Sequence, residues 1–489
     1  MYPHSKQKKT PVTLLALSIA LALQAGAAAA QDAGAAATEL DTVTVTGYRA
    51  SVEKALDIKR GEAGMVDAVV AEDIGKFPDT NLAESIQRIP GVSIDRVNGE
   101  GARVTVRGIG PQFNLVLLNG RQMPTANIND TSASTDRSFD FAQLSSSAVS
   151  EIDVYKTGAA STPPGGMGAT INIQTARPLD RPGTHGAVQV QGVWDESANN
   201  TPSSLKYGSA TAPRINGIFS TTSADGEWGF GINGSYEKRN FGYNSAFVDG
   251  WQTYRDNVPY GGSWGGGVVP PAPDSVNAPK AGSDYAFPQA LRYQLNAGQS
   301  TRVNGQMVLQ FKPSDNLVNT LDYTYSQYKI KNRYQQLSAW FASGYPNYSA
   351  WTDGPIAAPL VYSETYSTPQ DLDMAAGDSA SKQTLNSIGW NTKWKVTDRL
   401  SFTFDAAHST AKNGPDSPFG NSSTLDAVAF VRGTTTANFS GSFPILTNVY
   451  APSGTQLSPS QMLFTGASFR NSRMKNTIDQ IHLDGKFLF

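Results

Sequence analysis

Few side chains of this sequence have the type and spacing that catalysis or metal binding requires. The 489 residues contain no cysteine and four histidines. Disulfides, thiol nucleophiles, iron–sulfur clusters and cysteine-ligated zinc are therefore excluded. His185, His408 and His482 are far apart in sequence and form neither an HxxxH nor an HExxH pattern. The sequence predicts no histidine-based metal site and no bound cofactor.

The motifs that resemble catalytic or nucleotide-binding signatures lack their necessary context. Residues 261–265 read GGSWG and match GxSxG, but a nucleophile elbow needs a strand–turn–helix setting with a nearby histidine and acid. Gly108-Ile109-Gly110 lacks the third glycine of a dinucleotide fingerprint, and the sequence contains no GxxxxGK. No close pair of carboxylates is marked out for acid–base catalysis. We therefore expect a protein that is not an enzyme.

The charge balance argues against a nucleic-acid partner. Lys and Arg number 39 against 41 Asp and Glu, which gives a net charge of -2 and a pI near 6.1. No global basic field is available to attract phosphates. Charged residues make up 16% of the chain, below the ~25% of average soluble domains. With 46 Gly, 19 Tyr and 21 Phe, this composition suits many glycine-hinged strands flanked by aromatic residues.

Residues 1–30 have the pattern of a cleaved secretory signal peptide. Three lysines precede an apolar run from Val12 to Leu23, and Ala28 to Ala30 supply the small residues that a signal peptidase needs. The alternative is a membrane anchor, for which the run falls short of the ~20 residues required. Later segments contain no long apolar run. An exported chain of this kind is either soluble or spans the membrane as a β-barrel.

Residues 31–51 read as a tether that carries one short strand. The residues from Gln31 to Glu39 are small and polar, too poor in large apolar groups to fold. The stretch from Leu40 to Arg49, LDTVTVTGYR, alternates Val with Thr, and these β-branched residues favour an extended strand. Such a strand can add to the edge of a partner's sheet through its unpaired backbone groups. The alternative is that it forms the first strand of the next domain.

Residues 52–180 predict a compact α+β domain. A helix is predicted from Thr80 to Arg88, because Asn81 and Glu84 resemble a capping box. Asn119-Gly120 predicts a tight hairpin turn, since both residues tolerate positive φ. Alternating or apolar runs predict strands at Val66 to Val70, Val92 to Asp95, Ala102 to Arg107, Asn114 to Leu118, Ile152 to Tyr155 and Thr170 to Thr175.

Four motifs of this domain follow the order found in a known family. They read NLAESIQRIPGVSI (Asn81 to Ile94), VTVRGIGPQFNLVLLNGR (Val104 to Arg121), EIDVYKTGAAS (Glu151 to Ser161) and GGMGATINIQTARP (Gly165 to Pro178). Together they resemble the plug domain of TonB-dependent outer-membrane receptors. The resemblance covers residues 41–178, and four motifs in order are far more specific than any one of them.

The resemblance has consequences for the partner and for the ligand. DTVTVTG looks like a TonB box, the segment that docks on TonB, and it consists of Asp41, Thr42, Val43, Thr44, Val45, Thr46 and Gly47. The family implies a monomer among the lipids of the Gram-negative outer membrane, with its tether in the periplasm and TonB, with its inner-membrane energising complex, as partner. The stretches RVNGEGARVTVRGIG and NLVLLNGR look most like the branch abundant in Xanthomonas-type and Caulobacter-type bacteria, in which carbohydrate uptake is common.

Residues 181–489 predict the N-terminal part of an outer-membrane β-barrel. Short turns alternate with long segments, as in barrels whose long loops are extracellular. The alternative is a soluble β-sandwich, in which long loops that alternate so regularly are unusual. The turns are 224–226, 313–315 and 397–399, and the long segments lie near 240–298, 334–380 and 413–470. Eight strands are predicted at His185 to Trp194, Arg214 to Ser223, Glu227 to Arg239, Thr301 to Phe311, Leu317 to Arg333, Lys382 to Val396, Leu400 to Lys412 and Arg473 to Phe489.

The expected fold is an all-β transmembrane barrel, incomplete with about its first eight strands, preceded by an N-terminal α+β plug domain. A barrel of about eight strands has an interior filled by side chains, whereas plugged transporters need about 22 strands. We therefore interpret the chain as an N-terminal fragment. The competing interpretation is a complete small protein, because Phe489 resembles the aromatic last residue of many outer-membrane proteins.

Two plug arginines, Arg107 and Arg121, flank apolar strand runs. We predict that they lock the plug to carboxylates of the barrel wall, since Arg is the usual partner of a buried carboxylate. The alternative is direct contact with ligand.

The ligand itself is expected above the plug, on the segment that follows the Asn119-Gly120 turn and on the first long loop. Aromatic residues of that loop could stack on sugar rings or simply fill the loop. The candidate ligand-binding residues are Gln122, Asn127, Asn129, Asp130, Asp136, Arg137, Trp251 and Tyr254, with Tyr260 and Trp264 as further aromatic candidates.

The predicted function is energy-coupled uptake of a scarce ligand that is too large for porins, with a carbohydrate as the first choice. The alternatives are a siderophore, haem or cobalamin receptor, and a truncated surface protein that acts as an adhesin or receptor remnant without transport. By family resemblance, the box signals ligand occupancy and TonB pulls on it to shift the plug.

Overall fold

A computed structural model describes residues 46–71, 81–128, 136–158, 162–255, 258–259, 274–280, 282–341, 346–451 and 456–488. The predicted signal peptide, most of the tether and the GGSWG segment lie outside these described residues, so those predictions stay predictions. No helix in the part of the chain that the structure describes combines the length and apolar character needed to cross a membrane.

Two α-helices lie in the N-terminal part of the described chain. Helix α1 spans Thr46–Gly61 and helix α2 spans Leu82–Ile86. The prediction of a strand up to Arg49 is wrong for its last four residues, which are helical. The Val/Thr alternation stops at Thr46, and the Ala, Glu, Lys and Leu residues that follow favour a helix. The other residues of that strand lie outside the described ranges.

Helix α2 is shorter than the predicted helix, but its N-cap is the predicted residue. The Asn81 side chain accepts hydrogen bonds from the backbone N–H groups of Ala83 and Glu84. The Glu84 carboxylate does not complete the capping box, because it forms an ion pair with Arg96 on the neighbouring hairpin.

The plug domain is built on a five-stranded sheet and a separate hairpin. Its sheet has the order β1-β6-β7-β4-β5, in which β4 and β7 are parallel and the other neighbours antiparallel, while β2 and β3 pair with each other. Every strand predicted in this region is present. The strands are β1 (Val66–Val70), β2 (Val92–Val97), β3 (Glu100–Val106), β4 (Leu115–Leu118), β5 (Arg121–Gln122), β6 (Val149–Tyr155) and β7 (Thr170–Thr175).

The described residues after the plug form one twelve-stranded sheet and a small four-stranded sheet. The strands are β8 (His185–Trp194), β9 (Thr211–Thr222), β10 (Trp228–Val248), β11 (Trp251–Arg255), β12 (Val258–Pro259), β13 (Asp284–Pro288), β14 (Ala290–Ser314), β15 (Leu317–Trp340), β16 (Pro346–Trp351), β17 (Ile356–Ala357), β18 (Pro359–Lys395), β19 (Leu400–Pro415), β20 (Ser422–Asn438), β21 (Ile445–Tyr450), β22 (Leu463–Arg470) and β23 (Met474–Phe487).

The large sheet has more strands than the eight predicted, and its loops are shorter than predicted. All eight predicted strands are present in order, each paired antiparallel with the next, and four further strands bring the sheet to twelve. The long segments are largely strand, because several strands continue well past their predicted ends. Strand β18 alone runs for 37 residues. Its polar, non-alternating first half gave no periodic signal, and its backbone pairing with β15 and β20 makes it a strand.

The two faces of the large sheet have opposite chemistry. On β15, Thr320, Asp322, Thr324 and Ser326 are buried on the face turned toward the plug, whereas Leu321 and Tyr323 are exposed on the other face. We call these the inner and outer faces. The inner face packs on the plug, whose apolar core includes Leu385 and Ala411 of the sheet. A polar side packed inward and an apolar side exposed is the reverse of a water-soluble sheet.

Candidate functional site

Arg121 is the most deeply buried charged side chain that connects the plug to the large sheet. It follows the Asn119-Gly120 turn, where both residues have positive φ (54° and 84°) and Leu118 pairs with Arg121 as in the predicted two-residue hairpin. The turn carries the guanidinium beyond the plug sheet, between two strands of the inner face. Its relative exposure is 1%.

The guanidinium of Arg121 is held by two carboxylates of the inner face. Its Nη1 lies 2.8 Å from both carboxylate oxygens of Asp322 on β15. Its Nε and Nη2 donate to Asp405 on β19, at 2.7 and 3.0 Å. Asn391 also donates to Asp405, at 3.0 Å. All three guanidinium nitrogens therefore donate to carboxylate oxygens of the inner face, the geometry for which Arg is suited.

Gly389 provides the space that this contact requires. It pairs with Asp322 on one side and with Ala407 on the other, so it lies on the inner face between the two acidic strands. A Cβ atom at this position would lie 1.8 Å from Nη1 of Arg121. Burial alone would lower the pKa of the Arg121 guanidinium, but Asp405 and Asp322 outweigh burial and the pKa is raised. The arginine therefore stays charged.

A second ionic contact has the opposite polarity, with the arginine on the sheet. Arg302 of β14 lies 3.0 Å from Glu237 of β10 and 3.5 Å from Glu100 of the plug. Its Nε donates to the carbonyl oxygen of Ala142 in the plug. Two buried arginines, one contributed by each side, thus tie the plug to the sheet. Arg302 could not be picked out from the sequence, since its two carboxylate partners are 65 and 202 residues away in numbering.

Asp140 lies next to this second contact. Its carboxylate accepts a hydrogen bond from the N–H of Ala142 at 2.9 Å and caps the short 3-10 helix Phe141–Gln143. Burial raises the pKa of Asp140 to about 6, although Arg302 and Arg103 act in the other direction. This carboxylate therefore changes its charge closer to neutral pH than an ordinary aspartate does.

Side chains of the large sheet hold the backbone of the segment that begins at Gln122. Gln480 of β23 donates to the carbonyl oxygen of Gln122 and accepts from its N–H, both at 3.0 Å. Asn476 donates to the carbonyl oxygen of Thr125 at 3.2 Å, and Asn413 donates to that of Ala126 at 3.0 Å. These contacts fix where the predicted ligand-binding segment begins.

A cavity of about 240 Å³ lies between this segment, the β2–β3 hairpin and the inner face. Its lining is rich in amide side chains, and among them Gln383 Oε1, Asn413 Oδ1 and Asn421 Nδ2 have no hydrogen-bond partner within the described ranges. Buried polar groups without partners are costly unless a water or ligand satisfies them. The charged lining consists of Arg103 and Asp140. The cavity can therefore take a polar group that both donates and accepts hydrogen bonds.

The predicted ligand-binding residues near this cavity differ in whether their side chains line it. Asn127 lines the cavity, yet its amide donates to the carbonyl oxygens of Asp136 and Ser138, at 3.2 and 2.8 Å, and so closes its own loop. Asp136 accepts two hydrogen bonds from Ser138 and lies 3.7 Å from Arg103. Gln122 contacts Gln480 through its backbone, and Arg137 is exposed. Asn129 and Asp130 lie outside the described residues.

The two predicted aromatic residues differ in accessibility. Trp251 of β11 is 45% exposed, with its ring 5.6 Å from that of Phe439. Tyr254 is 1% exposed and packs between Tyr285 and Phe287, so a ligand ring cannot stack on it in this structure. The prediction missed this because the partner aromatics come from β13, about 30 residues later in the chain. Tyr260 and Trp264 lie outside the described residues.

Arg107 differs from Arg121 in its environment. It is exposed, with positive φ (55°), and its Nη2 donates to the carbonyl oxygen of Gly168 at 2.6 Å. Both residues belong to the plug, so this contact ties two plug loops together. No carboxylate of the large sheet pairs with Arg107 among the residues that the structure describes.

Helix α1 is attached to the plug by two ion pairs. Lys54 Nζ lies 3.0 Å from Glu151, and Lys59 Nζ lies 2.6 Å from Asp67. Burial alone would raise the pKa of Asp67, but Lys156 and Lys59 lower it. Helix α1, which begins at the end of the predicted TonB box, is thus connected to strand β6 through Lys54 and to strand β1 through Lys59. A metal site is a separate question. Among the described residues, the structure contains no cluster of three or more His, Cys, Asp and Glu side chains that could hold a metal ion.

Comparisons with known proteins identify the plug segment. Residues 59–170 match the family model of the TonB-dependent receptor plug domain. The chain is 32% identical over 129 residues to the ferric enterobactin receptor PirA of Pseudomonas aeruginosa, a match covering 24% of this chain and 17% of that protein. It is 25% identical over 164 residues to the probable TonB-dependent siderophore receptor PirA of Acinetobacter baumannii, covering 32% of this chain and 22% of that protein.

Solved structures of the same kind also align with this chain. A mutant of the ferric enterobactin receptor PfeA of Pseudomonas aeruginosa has 12% identity and a TM-score of 0.38, covering 87% of this chain and 59% of that one. The siderophore receptor PirA of Acinetobacter baumannii has 12% identity and a TM-score of 0.31, covering 78% and 62%. The chain thus spans less than two thirds of these proteins. The predicted resemblance to TonB-dependent receptors is confirmed by the plug match.

Proposed function

We propose that this chain acts as a TonB-dependent outer-membrane receptor that binds a small ligand above its plug and admits it when TonB pulls on the box. The observation that carries the proposal is a recognised plug domain, locked by Arg121 onto the polar inner face of a sheet whose outer face is apolar. Neither feature is needed by an adhesin, whereas a receptor needs both to keep a closed, movable plug.

The outer face supports placement in a membrane. Ile232, Met307, Tyr323 and Ile388 are exposed on it and follow one another in register on four neighbouring strands. In the next row of outer positions, Trp390 and Ile481 are exposed on either side of Ala406. Outer-membrane strands alternate apolar residues toward lipid with polar residues toward the interior. Trp228 stacks on Phe311 near the short-turn end of the sheet, a position that suits an aromatic girdle.

For the ligand we favour a siderophore, which was the alternative to the predicted carbohydrate. The support comes from the two relatives, since one is a ferric enterobactin receptor and the other a probable siderophore receptor. The matches give the carbohydrate prediction no support, and the branch assignment behind it stays a prediction. Haem and cobalamin were the other predicted alternatives.

Coupling to TonB is proposed through residues 41–47, of which 41–45 lie outside the described residues and Thr46 and Gly47 begin helix α1. The support is their position, because helix α1 begins at Thr46 and its ion pairs to Glu151 and Asp67 would carry a pull into the plug strands.

The ligand class is tested with a deletion strain and the complemented strain. We expect that ferric siderophores restore growth under iron limitation only when the gene is present, and that iron starvation raises its expression. Growth restored by an oligosaccharide as sole carbon source, without any iron response, would contradict the siderophore assignment. Ligand binding without any uptake would favour the non-transporting alternative.

A further inference from the structure

The cavity between the plug and the inner face is polar, but its lining has no surplus of positive charge. Among the described residues that line it, only Arg103 and Asp140 are charged, and their charges offset each other. Arg103 also lies 3.7 Å from the carboxylate of Asp136. An anion that entered the cavity would therefore find no cation without an acidic neighbour.

The buried arginines outside this lining are also paired. The described part of the chain contains three of them, and each has a carboxylate partner. Two are Arg121 and Arg302, which tie the plug to the sheet. The third is Arg432 of β20, which lies 3.7 Å from Asp371. An anionic ligand would have to compete with these carboxylates or stay unpaired, and a charge taken out of water without a partner is costly.

The groups of the lining that lack partners are neutral amides. Asn413 uses its N–H to donate to Ala126, and its Oδ1 has no partner among the described residues. Asn421 uses its Oδ1 to accept from the N–H of Ser472, and its Nδ2 has none. Gln383 Oε1 adds a second acceptor without a partner. A ligand that satisfies all three atoms needs N–H or O–H donors together with a carbonyl acceptor.

We infer that the ligand is a ferric hydroxamate rather than a ferric catecholate. The inference rests on the proposed function of a siderophore receptor and names the chemical class within it. Three hydroxamate groups balance the charge of Fe³⁺, and the amide backbone that joins them supplies N–H donors and carbonyl acceptors. Three catecholate groups leave the complex with three negative charges, which this lining does not compensate.

The size of the cavity fits one part of such a complex. Its volume of about 240 Å³ is below the ~300–1,000 Å³ of pockets that enclose a whole drug-sized ligand. One amide-rich arm would therefore enter between the plug and the inner face, where Asn413 and Asn421 are both buried.

The test compares a neutral and an anionic ferric complex on the purified full chain in detergent. Ferrichrome is a neutral trihydroxamate, and ferric enterobactin is a trianionic catecholate. Each is labelled with radioactive iron and its affinity is measured by equilibrium dialysis at low and at high salt. Gln383→Lys adds a cation to the cavity lining, and Gln327→Lys adds the same charge on the outer face as the matched control.

We expect the parent to bind ferrichrome at least about tenfold more tightly than ferric enterobactin, with an affinity that salt leaves unchanged, because screening acts on charged partners. Gln383→Lys should narrow or reverse this preference, and Gln327→Lys should keep it. A preference that Gln383→Lys leaves intact would overturn the inference, because this cavity would then not select the charge of the ligand.

Tighter binding of ferric enterobactin by the parent, or binding of neither complex, would also overturn the hydroxamate inference. The proposed function fails separately, when no ferric siderophore restores growth under iron limitation. A parent that prefers the catecholate and supports growth on it would therefore sink the inference and leave the receptor function standing.

Discussion

Nε of Arg121 lies 2.7 Å from Oδ1 of Asp405, across 284 residues of sequence and across the boundary between plug and sheet. With the Asp322 contact, it makes one plug side chain the bridge between two sheet strands. A receptor that must stay closed and yet release its plug needs such a strong but localised connection.

Arg121→Met should destabilise the folded protein by about 3–5 kcal/mol, because it leaves Asp322 and Asp405 buried without a cation. The measurement is the midpoint of thermal unfolding together with the rate at which a protease cleaves the plug. Adding Asp322→Asn and Asp405→Asn should restore part of the loss. Arg107→Met is the matched control and should change stability by about 1 kcal/mol or less, since its side chain is exposed. Equal stability of parent and Arg121→Met would contradict the lock.

Gly389→Ala should weaken the same contact without removing any charge. The new Cβ would occupy the space of Nη1, so the guanidinium or the strand must shift. We expect a loss of about 1–3 kcal/mol, as for overpacking of a core. Gly217→Ala on β9 is the control, because nothing lies within 4 Å of its added Cβ. A result in which both alanine variants unfold like the parent would show that Arg121 is not tightly held.

Asp140→Asn should raise stability above pH 6 and flatten its pH dependence. Because the pKa of Asp140 is about 6 in the folded protein and 3.8 normally, ionisation costs stability as pH rises between these values. The full difference between the two pKa values corresponds to about 3 kcal/mol in the free energy of unfolding. We expect a gain of about 1–2 kcal/mol, because solvent reaches part of the site and weakens its electrostatic interactions. Asn keeps the cap on Ala142. Thermal midpoints measured across this pH window check the effect, with exposed Asp315→Asn as control. A variant that stays as pH-sensitive as the parent would count against it.

Gln383→Ala should weaken ligand binding by about threefold to tenfold. Gln383 lines the cavity, and its Oε1, which has no partner among the described residues, would accept a hydrogen bond from the ligand. Gln327→Ala is the control, because that side chain lies on the outer face and donates to Tyr325. Titration of the purified protein with a ferric siderophore gives both affinities. Unchanged affinity of the Gln383 variant would place the ligand elsewhere.

The sequence predicts local elements better than long-range partners. The Asn119-Gly120 hairpin and the Asn81 cap depend on neighbouring residues, and both are found. Arg121 could be chosen from its motif, but Asp322, Asp405 and Gly389 could not, since only strand register brings them together. In LDYTY (residues 321–325), Asp322 and Thr324 alternate with apolar residues, and this period of two does indicate that the Asp322 side chain lies on the inner face.

The wrong predictions have a common physical cause. Tyr254 was chosen for its type and its place in a predicted loop, yet it lies on β11, and Tyr285 and Phe287 of the neighbouring strand β13 bury it. Strands β20, β21 and β22 lie in a segment predicted as loop. Backbone pairing makes them strands rather than their own alternation, since β20 pairs with β18, and β21 and β22 pair with β20. Backbone pairing over long sequence distances leaves little trace in a single sequence.

Uptake of iron by cells that carry Val45→Pro tests the central claim most directly. Proline removes the backbone donor that an added strand requires. With radiolabelled ferric siderophore, we expect the variant to bind ligand at the cell surface like the parent but to accumulate no iron above background. Ala35→Pro, in the tether before the box, should accumulate iron at the parent rate. Parental accumulation by Val45→Pro would contradict a TonB-coupled receptor.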